Sequence, residues 1–520
     1  MKIIRSLLTG VVALVLLPGL LGPATPPMHD SQAKVQPILA ELAVNNPDQR
    51  VAVIVQKYSP DIQVESQVER LGGKVTKDLH IINGFAAEMS AGAALELAQE
   101  PQVRWISLDG VVESSGVPST IQGRKTPPRS EAVNYYLDTL GVRNVWAMGL
   151  QGQGITVAVI DSGINKDADF NQVKTSASGM EITLKPGHDR IIIQKSFNSN
   201  ARRIQDVYGH GTHVAGIIGG NGTNSRGEIM GIAPQVQLIS LKVCDENGMA
   251  YESDVVAAMQ WVLDNKAIYN IRILNMSINS TVEQTYHTSP MDAAAEILWF
   301  NGIVVVVSSG NMDATGSMID SAPANDPFII TVGASDETGT PDRSDDFFTS
   351  FSAYGTTMNG YTKPDITAPG KDIYSVLSNN SSWPRDYPER VSSDKQYFRL
   401  SGTSMAAPMV SGAAALLLQD EPDLTPDQVK YRLLHSGSNL SQGGYLFPYL
   451  DIYEAVTSTT TESSNTGIPA NQLLWSGTDP ISWDSVSWNS VSWNSVSWNS
   501  VSWNSVSWNS VSWNSVYWGP

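Results

Sequence analysis

The stretch Ile155-Thr156-Val157-Ala158-Val159-Ile160-Asp161-Ser162-Gly163 decides the fold. Its first six residues are almost all apolar and rich in β-branched side chains, with no alternation of polar and apolar positions. A strand exposed on one face would alternate, whereas an unbroken run fits a strand covered on both faces of a parallel sheet. Similar runs occupy residues 236–243, 273–278, 303–307 and 328–332. Residues 253–265 and 291–300 read as the crossover helices that parallel neighbours require. Thr425-Pro426-Asp427-Gln428 has the form of a capping box with proline at the first helical position, and opens a helix reaching about His435. The expected class is α/β, a doubly wound, mostly parallel sheet with helices on both faces, over residues 133–456.

Upstream of this core, residues 51–56, 74–82, 85–89 and 103–108 read as strands. Residues 64–71 and 91–99 read as helices, and Asn83-Gly84 as a turn. The order β-α-β-β-α-β is that of a small ferredoxin-like unit, placed within residues 33–116. Residues 117–132 belong to a Ser-, Pro- and Gly-rich stretch beginning at Ser114, which reads as an exposed, cleavable linker. The chain opens with Lys2 and Arg5, an apolar core from Leu7 to Leu21, and the small residues Gly22 and Ala24. That is the pattern of an export signal over residues 1–24. Thr9, Gly10, Pro18 and Gly19 interrupt it too often for a span of ~20 apolar residues. The expected location is therefore secreted or extracellular.

Downstream, residues 457–480 have the Ser-, Thr- and Asn-rich composition of a linker. Residues 481–520 carry a tandem repeat, Ser-Val-Ser-Trp-Asn, in six uninterrupted copies from Ser485 to Asn514. A five-residue period turns successive tryptophans to opposite faces of a continuous strand. The repeat therefore reads either as a small solenoid or hairpin stack, or as a low-complexity tail without a fixed fold. Exposed Trp would suit contact with glycans, a cell envelope or an insoluble substrate.

The chain has 520 residues, which at ~150 per domain suggests three to four units. Its net charge of −18 excludes the usual nucleic-acid binder, because too few cations are present to replace the counterions of a phosphate backbone. Trp outnumbers Phe, 14 to 10, and that excess belongs to the repeat. The single cysteine, Cys244, excludes an intramolecular disulfide framework and reads as a buried small hydrophobe.

Four segments of the large domain carry chemistry. Asp161 ends a central strand, where open parallel sheets bind their ligands, although alone it could equally be a capping residue. Gly209-His210-Gly211-Thr212-His213-Val214-Ala215-Gly216 places two histidines in a glycine-rich turn that opens a buried helix. It lacks the glutamate of a zinc-protease helix, so zinc is not expected. Ser401-Gly402-Thr403-Ser404 precedes an apolar run to Leu418, which sets Ser404 at the first turn of a buried helix. Exposed N–H groups and the helix dipole favour developing negative charge there. The strand over 302–307 ends in Ser308-Ser309-Gly310-Asn311, whose amide can donate to an oxyanion beside the Ser404 backbone N–H. A serine hydroxyl is a weak nucleophile that needs a base in reach, and the base needs an acid to hold its tautomer. Asp161, His210 and Ser404 supply those roles in chain order, and one base suffices, so His213 reads as structural.

Asp161-Ser-Gly-Ile, His210-Gly-Thr-His-Val-Ala-Gly, Ser309-Gly-Asn311 and Gly402-Thr-Ser-Met-Ala resemble the signatures of the subtilisin-like serine proteases, the subtilases. The similarity extends to Gly231-Ile-Ala-Pro234, Asn275-Met-Ser277, Pro323-Ala324 and Ala368-Pro-Gly370. Residues 50–112 resemble the family's inhibitory propeptide more weakly, best at Gly84-Phe-Ala-Ala87. The resemblance implies a secreted endopeptidase, self-processed from a precursor, with Asp161, His210 and Ser404 as triad and Asn311 at the oxyanion. It implies that Ser277, Ile278, Asn279, Ser308, Ser309 and Gly310 line the pocket for the residue before the scissile bond. Gly248, Met249 and Ala250 would pair as an edge with the substrate backbone. The expected partners are protein or peptide substrates and the chain's own propeptide, with the protein otherwise a monomer. Ile278-Asn279 departs from the family's Leu-Gly and leaves side-chain preference open. Residues 221–228 resemble the branch with a shortened calcium loop. No cofactor is expected for the chemistry, and a structural calcium ion with ligands such as Asp169 and Asn224 is an option. A rival reading is a surface-binding protein in which the repeat is the working part and the large domain a scaffold.

Overall fold

The computed structural model describes residues 34–58, 60–114, 133–175, 181–183, 189–311 and 319–474. The export signal, the body of the cleavable linker and the Trp repeat lie outside the described residues. Among the described residues no helix is long and apolar enough to cross a membrane.

The quoted stretch forms the strand Thr156–Asp161, every residue of which is buried. It lies inside an eight-stranded sheet whose main path runs Phe347–Phe348, Ile330–Asp336, Val304–Ser308, Ile271–Met276, Thr156–Asp161, Gln237–Lys242 and Ile191–Ser196. Ile366–Pro369 pairs with Ile330–Asp336 off that path. All these pairings are parallel except that of Phe347–Phe348. Thr156–Asp161 precedes both neighbours in the chain, so the strand order reverses across it. This is the switch point at which doubly wound sheets open a crevice beyond their carboxyl ends. Helices Glu252–Tyr269 and Pro290–Phe300 are the crossovers; His210–Gly219 is buried along its length, and Thr403–Asp420 is buried as far as Leu418. The capping box forms as read, with Gln428 N–H donating to Thr425 Oγ1 at 3.2 Å and Thr425 N–H donating to Gln428 Oε1 at 3.0 Å.

The N-terminal unit is a four-stranded antiparallel sheet in the order Lys74–Leu79, Gly84–Ser90, Arg50–Lys57, Val103–Leu108, with helices Gln63–Arg70 and Ala91–Leu97. Alternation along the strands divides its side chains. Val53, Val55, Phe85, Ala87 and Met89 pack in the unit's own core, while Ile54, Ala86, Leu79, Ile81 and Ile82 join the core of the large domain. Both faces of this sheet are therefore apolar, one for itself and one for its neighbour.

Four features differ from the sequence reading. A helix Pro37–Asn45 precedes the first strand. The second strand stops at Leu79, where His80–Ile82 form a 3₁₀ turn ended by Asn83 at φ 51°. Val111–Ser114, where the linker was expected to begin, forms a further strand. Its pairing partners belong to the large domain. Residues 458–474, read as the start of a linker, lie along the large domain. Asn465 donates to Asp427 at 2.6 Å and to the Phe328 carbonyl at 2.9 Å. Tyr286 donates to the Pro469 carbonyl at 2.7 Å, and Asn471 N–H reaches the Glu296 carboxylate at 2.9 and 3.1 Å.

Candidate active site

Asp161 is the last residue of its strand and 1% exposed, and His210, the first residue of its helix, is fully buried. His210 Nδ1 lies 2.8 Å from Asp161 Oδ1 and 3.0 Å from Oδ2. A carboxylate on Nδ1 holds the proton there and leaves Nε2 as the basic nitrogen. His210 Nε2 has no hydrogen-bond partner among the described residues. Gly209 adopts φ 108° to turn the chain into the helix, and a Cβ at Gly211 would stand 2.2 Å from the Gly163 carbonyl oxygen. Glycine at both positions lets the two segments approach closely.

Ser404 stands at the second position of helix Thr403–Asp420 and is buried. Its Oγ donates to the Ser277 carbonyl at 3.1 Å, and Ser277 Oγ donates to the Ser404 carbonyl at 3.1 Å. These reciprocal bonds brace the helix start against the end of strand Ile271–Met276. Asn275 extends the brace, donating to Ser277 Oγ at 3.2 Å and accepting from Ser411 at 2.8 Å. Asn311 Oδ1 accepts from Thr403 N–H at 3.0 Å and Thr403 Oγ1 at 3.2 Å. The carbonyl end of that amide is thereby anchored, and its other end is a donor. His213 is held apart from this chemistry. Its Nε2 lies 2.9 Å from the Phe398 carbonyl, and burial pushes its pKa down to about 3, so the ring stays neutral. Burial raises the Cys244 thiol well above its ordinary value, the opposite of what a reactive thiolate needs.

The residues expected to contact substrate fall into two edges and a wall. Met249–Tyr251 and Ile278–Ser280 flank Val111–Ser114 in a three-stranded antiparallel sheet. Met249 and Asn279 both face Glu113, Ala250 faces Val112, and Ile278 faces Ser114. Gly248 sits at φ 84° against the Tyr208 ring, where a Cβ would meet ring carbon at 2.6 Å. The wall is Ser308-Ser309-Gly310, at the end of strand Val304–Ser308. Asn279 Nδ2 donates across to the Ser308 carbonyl at 3.1 Å and to Ser308 Oγ at 3.2 Å.

The loop weighed for calcium spends its oxygens on protein donors. Asp169 accepts from Asn224 N–H at 2.8 Å and from Tyr397 hydroxyl at 2.8 Å, while Asp167 accepts from Asn224 Nδ2 at 2.7 Å. Carboxylate oxygens turned to N–H and O–H groups do not form a cradle for a hard cation, so the residues described there do not fit one. No group of three or more His, Cys, Asp or Glu able to hold a metal is found among the described residues.

One residue of the site was not read from the sequence. Asp206, four positions before His210, is fully buried and accepts from Gly209 N–H at 2.7 Å and Thr212 N–H at 2.8 Å. An Asp just ahead of a glycine turn and a helix start is a capping signal that could have found it.

Comparison with known proteins agrees with this geometry. Residues 152–449 match the Subtilase family. The chain is 38% identical over 296 residues to serine protease AprX of Bacillus subtilis (strain 168), covering 56% of this chain and 62% of AprX. It is 31% identical over 317 residues to subtilisin DY of Bacillus licheniformis, covering 61% of this chain and 95% of that protein. Among solved structures, fervidolysin from Fervidobacterium pennivorans, a keratinolytic enzyme related to subtilisin, superposes with a TM-score of 0.56 at 22% identity. The match covers 81% of this chain and 62% of fervidolysin, a likeness of fold. With the family match spanning more than half of its length, this chain belongs to the subtilase family.

Proposed function

We propose that the protein is a serine endopeptidase, exported through residues 1–24 and kept latent by its own N-terminal unit until it cuts itself. The observation that carries the reading is the buried His210–Asp161 pair at 2.8 Å, in a fold that also starts a buried helix with Thr403-Ser404 and anchors Asn311 Oδ1 on the Thr403 N–H. In this reading His210 Nε2 takes the hydroxyl proton of Ser404 as Oγ attacks the peptide carbonyl carbon. The oxyanion is held by the Asn311 amide and the Ser404 backbone N–H, with the helix dipole behind them. Collapse expels the amine, which receives the proton from His210, and leaves an acyl-enzyme. Water, deprotonated by the same ring, then releases the acid. None of these steps needs a metal or cofactor.

Latency is supported by Val111–Ser114. The segment pairs on both sides with the edges expected to hold a substrate backbone, and its last residue, Ser114, stands opposite Ile278, next to the Ser277 whose carbonyl accepts from Ser404. Self-processing would then fall within or near residues 114–129. Hydrolysis of an unfolded protein by the purified wild type and by Ser404→Ala tests the reading. Cleavage by the wild type and none by the variant is expected, and equal cleavage by both would remove the proposed nucleophile.

A further inference from the structure

We propose that Asp206 is a positioning residue for this reaction, its carboxylate tying the turn that carries His210 to the strand end that carries Asp161. The inference rests on the peptidase reading. Each Asp206 oxygen takes two donors. Oδ1 accepts from Ser162 Oγ at 2.8 Å and from Gly209 N–H at 2.7 Å. Oδ2 accepts from Thr212 N–H at 2.8 Å and Thr212 Oγ1 at 2.6 Å. Gly209 and Thr212 bracket His210 in the chain, and Ser162 follows Asp161. Ser162 Oγ also accepts from Gly211 N–H at 2.9 Å. The bonds therefore close a ring: Asp206 to Ser162, Ser162 to the helix at Gly211, and the helix at Gly209 and Thr212 back to Asp206.

A helix cap needs only the backbone donors at Gly209 and Thr212. The bond to Ser162 does nothing for the helix; what it adds is a link to the segment bearing the acid. The Asp206 backbone is clamped in turn, its N–H donating to Asn165 Oδ1 at 3.0 Å, and its carbonyl accepting from Asn165 Nδ2 at 2.9 Å and Ser378 Oγ at 2.7 Å. Burying a carboxylate without an ion pair is costly, and four charge-assisted hydrogen bonds offset that cost only while the geometry is kept. The consequence is a stiff spacing between two segments that must meet within a hydrogen bond for His210 to work.

The test measures kcat and KM on a short peptide, with active sites counted by an irreversible serine-directed probe. Each variant is matured in trans by immobilised wild-type enzyme. Asp206→Asn keeps the shape but turns an amide N–H₂ towards donors. Its kcat should fall about 100-fold with KM within about twofold, the scale on which a misplacement of ~1 Å acts. In an Asp161→Ala background the same substitution should cost no more than about twofold, because groups acting as a unit are not additive. An Asp206→Asn enzyme with wild-type kcat per titrated site would overturn the proposal. So would an equal loss in both backgrounds, which would mark a cap that only supports the fold. If Asp206→Asn does not accumulate folded, Ser162→Ala keeps the carboxylate and its three other bonds. It should lower kcat about tenfold with the same dependence on Asp161. An inactive wild type would instead remove the peptidase reading itself.

Discussion

The two largest sheets among the described residues solve burial in opposite ways. The central parallel sheet is covered on both faces by its own chain; strand Thr156–Asp161 is buried at every residue. The N-terminal sheet keeps one apolar face for its own helices and turns the other outward, with Ile54, Ala86, Leu79, Ile81 and Ile82 completing the large domain's core. One sheet is closed upon itself and the other is finished only by a neighbour. A small unit that spends part of its apolar surface on its partner gains less stability alone, which suits the proposed removal of this segment. The polar contacts follow the same division. Lys77 pairs with Asp254, His80 Nε2 lies 3.6 Å from Asp264, and Gln260 accepts from Ile81 N–H at 3.0 Å.

The contrast can be broken most severely at Val112, which is fully buried opposite Ala250. In a Ser404→Ala chain, Val112→Asp should loosen the N-terminal unit by at least about 3 kcal/mol, roughly a hundredfold. The readout is how fast added active enzyme digests residues 34–114. Next comes Ile54→Ala, on the outward face, which should cost about 2–3 kcal/mol and be felt as the same faster digestion. Removal of residues 1–132 should lower the large domain's unfolding midpoint without abolishing its transition, because it uncovers the face that Ile54, Ala86, Leu79, Ile81 and Ile82 complete while the central sheet keeps its own helices.

The smallest effect is that of pH. The Asp264 carboxylate 3.6 Å from Nε2, together with Asp78 hydrogen-bonded to Nδ1 at 2.7 Å, raises His80 to about 9 from 6.5, and burial raises Asp109, which accepts from Ser253 N–H at 2.8 Å, to about 6 from 3.8. A histidine with a raised bound-state pKa contributes fully below 6.5 and loses its contribution as pH rises through about 9. A carboxyl with a raised value weakens attachment as pH rises from 3.8 to about 6 and opposes it by a constant amount above that. Digestion of the N-terminal unit in the Ser404→Ala chain should therefore quicken in two windows, from pH 3.8 to about 6 through Asp109 and from pH 6.5 to about 9 through His80. His80→Gln should remove the upper part of that dependence.

Much of this was legible before the structure, and for identifiable reasons. Uninterrupted β-branched runs placed the parallel strands to within a few residues, because strands covered on both faces carry the same signal at every position. Asp161, His210, Asn311 and Ser404 stood out in the sequence because glycines and small residues adjoin each of them, and the structure pairs the first two at 2.8 Å and ties Asn311 to Thr403, the neighbour of Ser404. Val111–Ser114 did not stand out. Its four residues form a strand only against edges contributed by residues 249–251 and 278–280, and no local pattern records a pairing so distant. The binding of residues 458–474 was hidden for a similar reason. Asn465 and Asn471 look like solvated linker residues until the partners Asp427, Phe328 and Glu296 are in place. Asp206 left a local signal, but its importance depends on Ser162, a contact across 44 positions of sequence.

The central claim is that the chain is a precursor cut by its own Ser404. Intact-mass measurement of purified wild type and Ser404→Ala tests it most directly. The account predicts a wild-type mass lacking the N-terminal unit, with the new terminus within or near residues 114–129, and a Ser404→Ala chain in which that unit remains attached. Removal of the unit from purified Ser404→Ala protein, at the same place and rate as in the wild type, would contradict it.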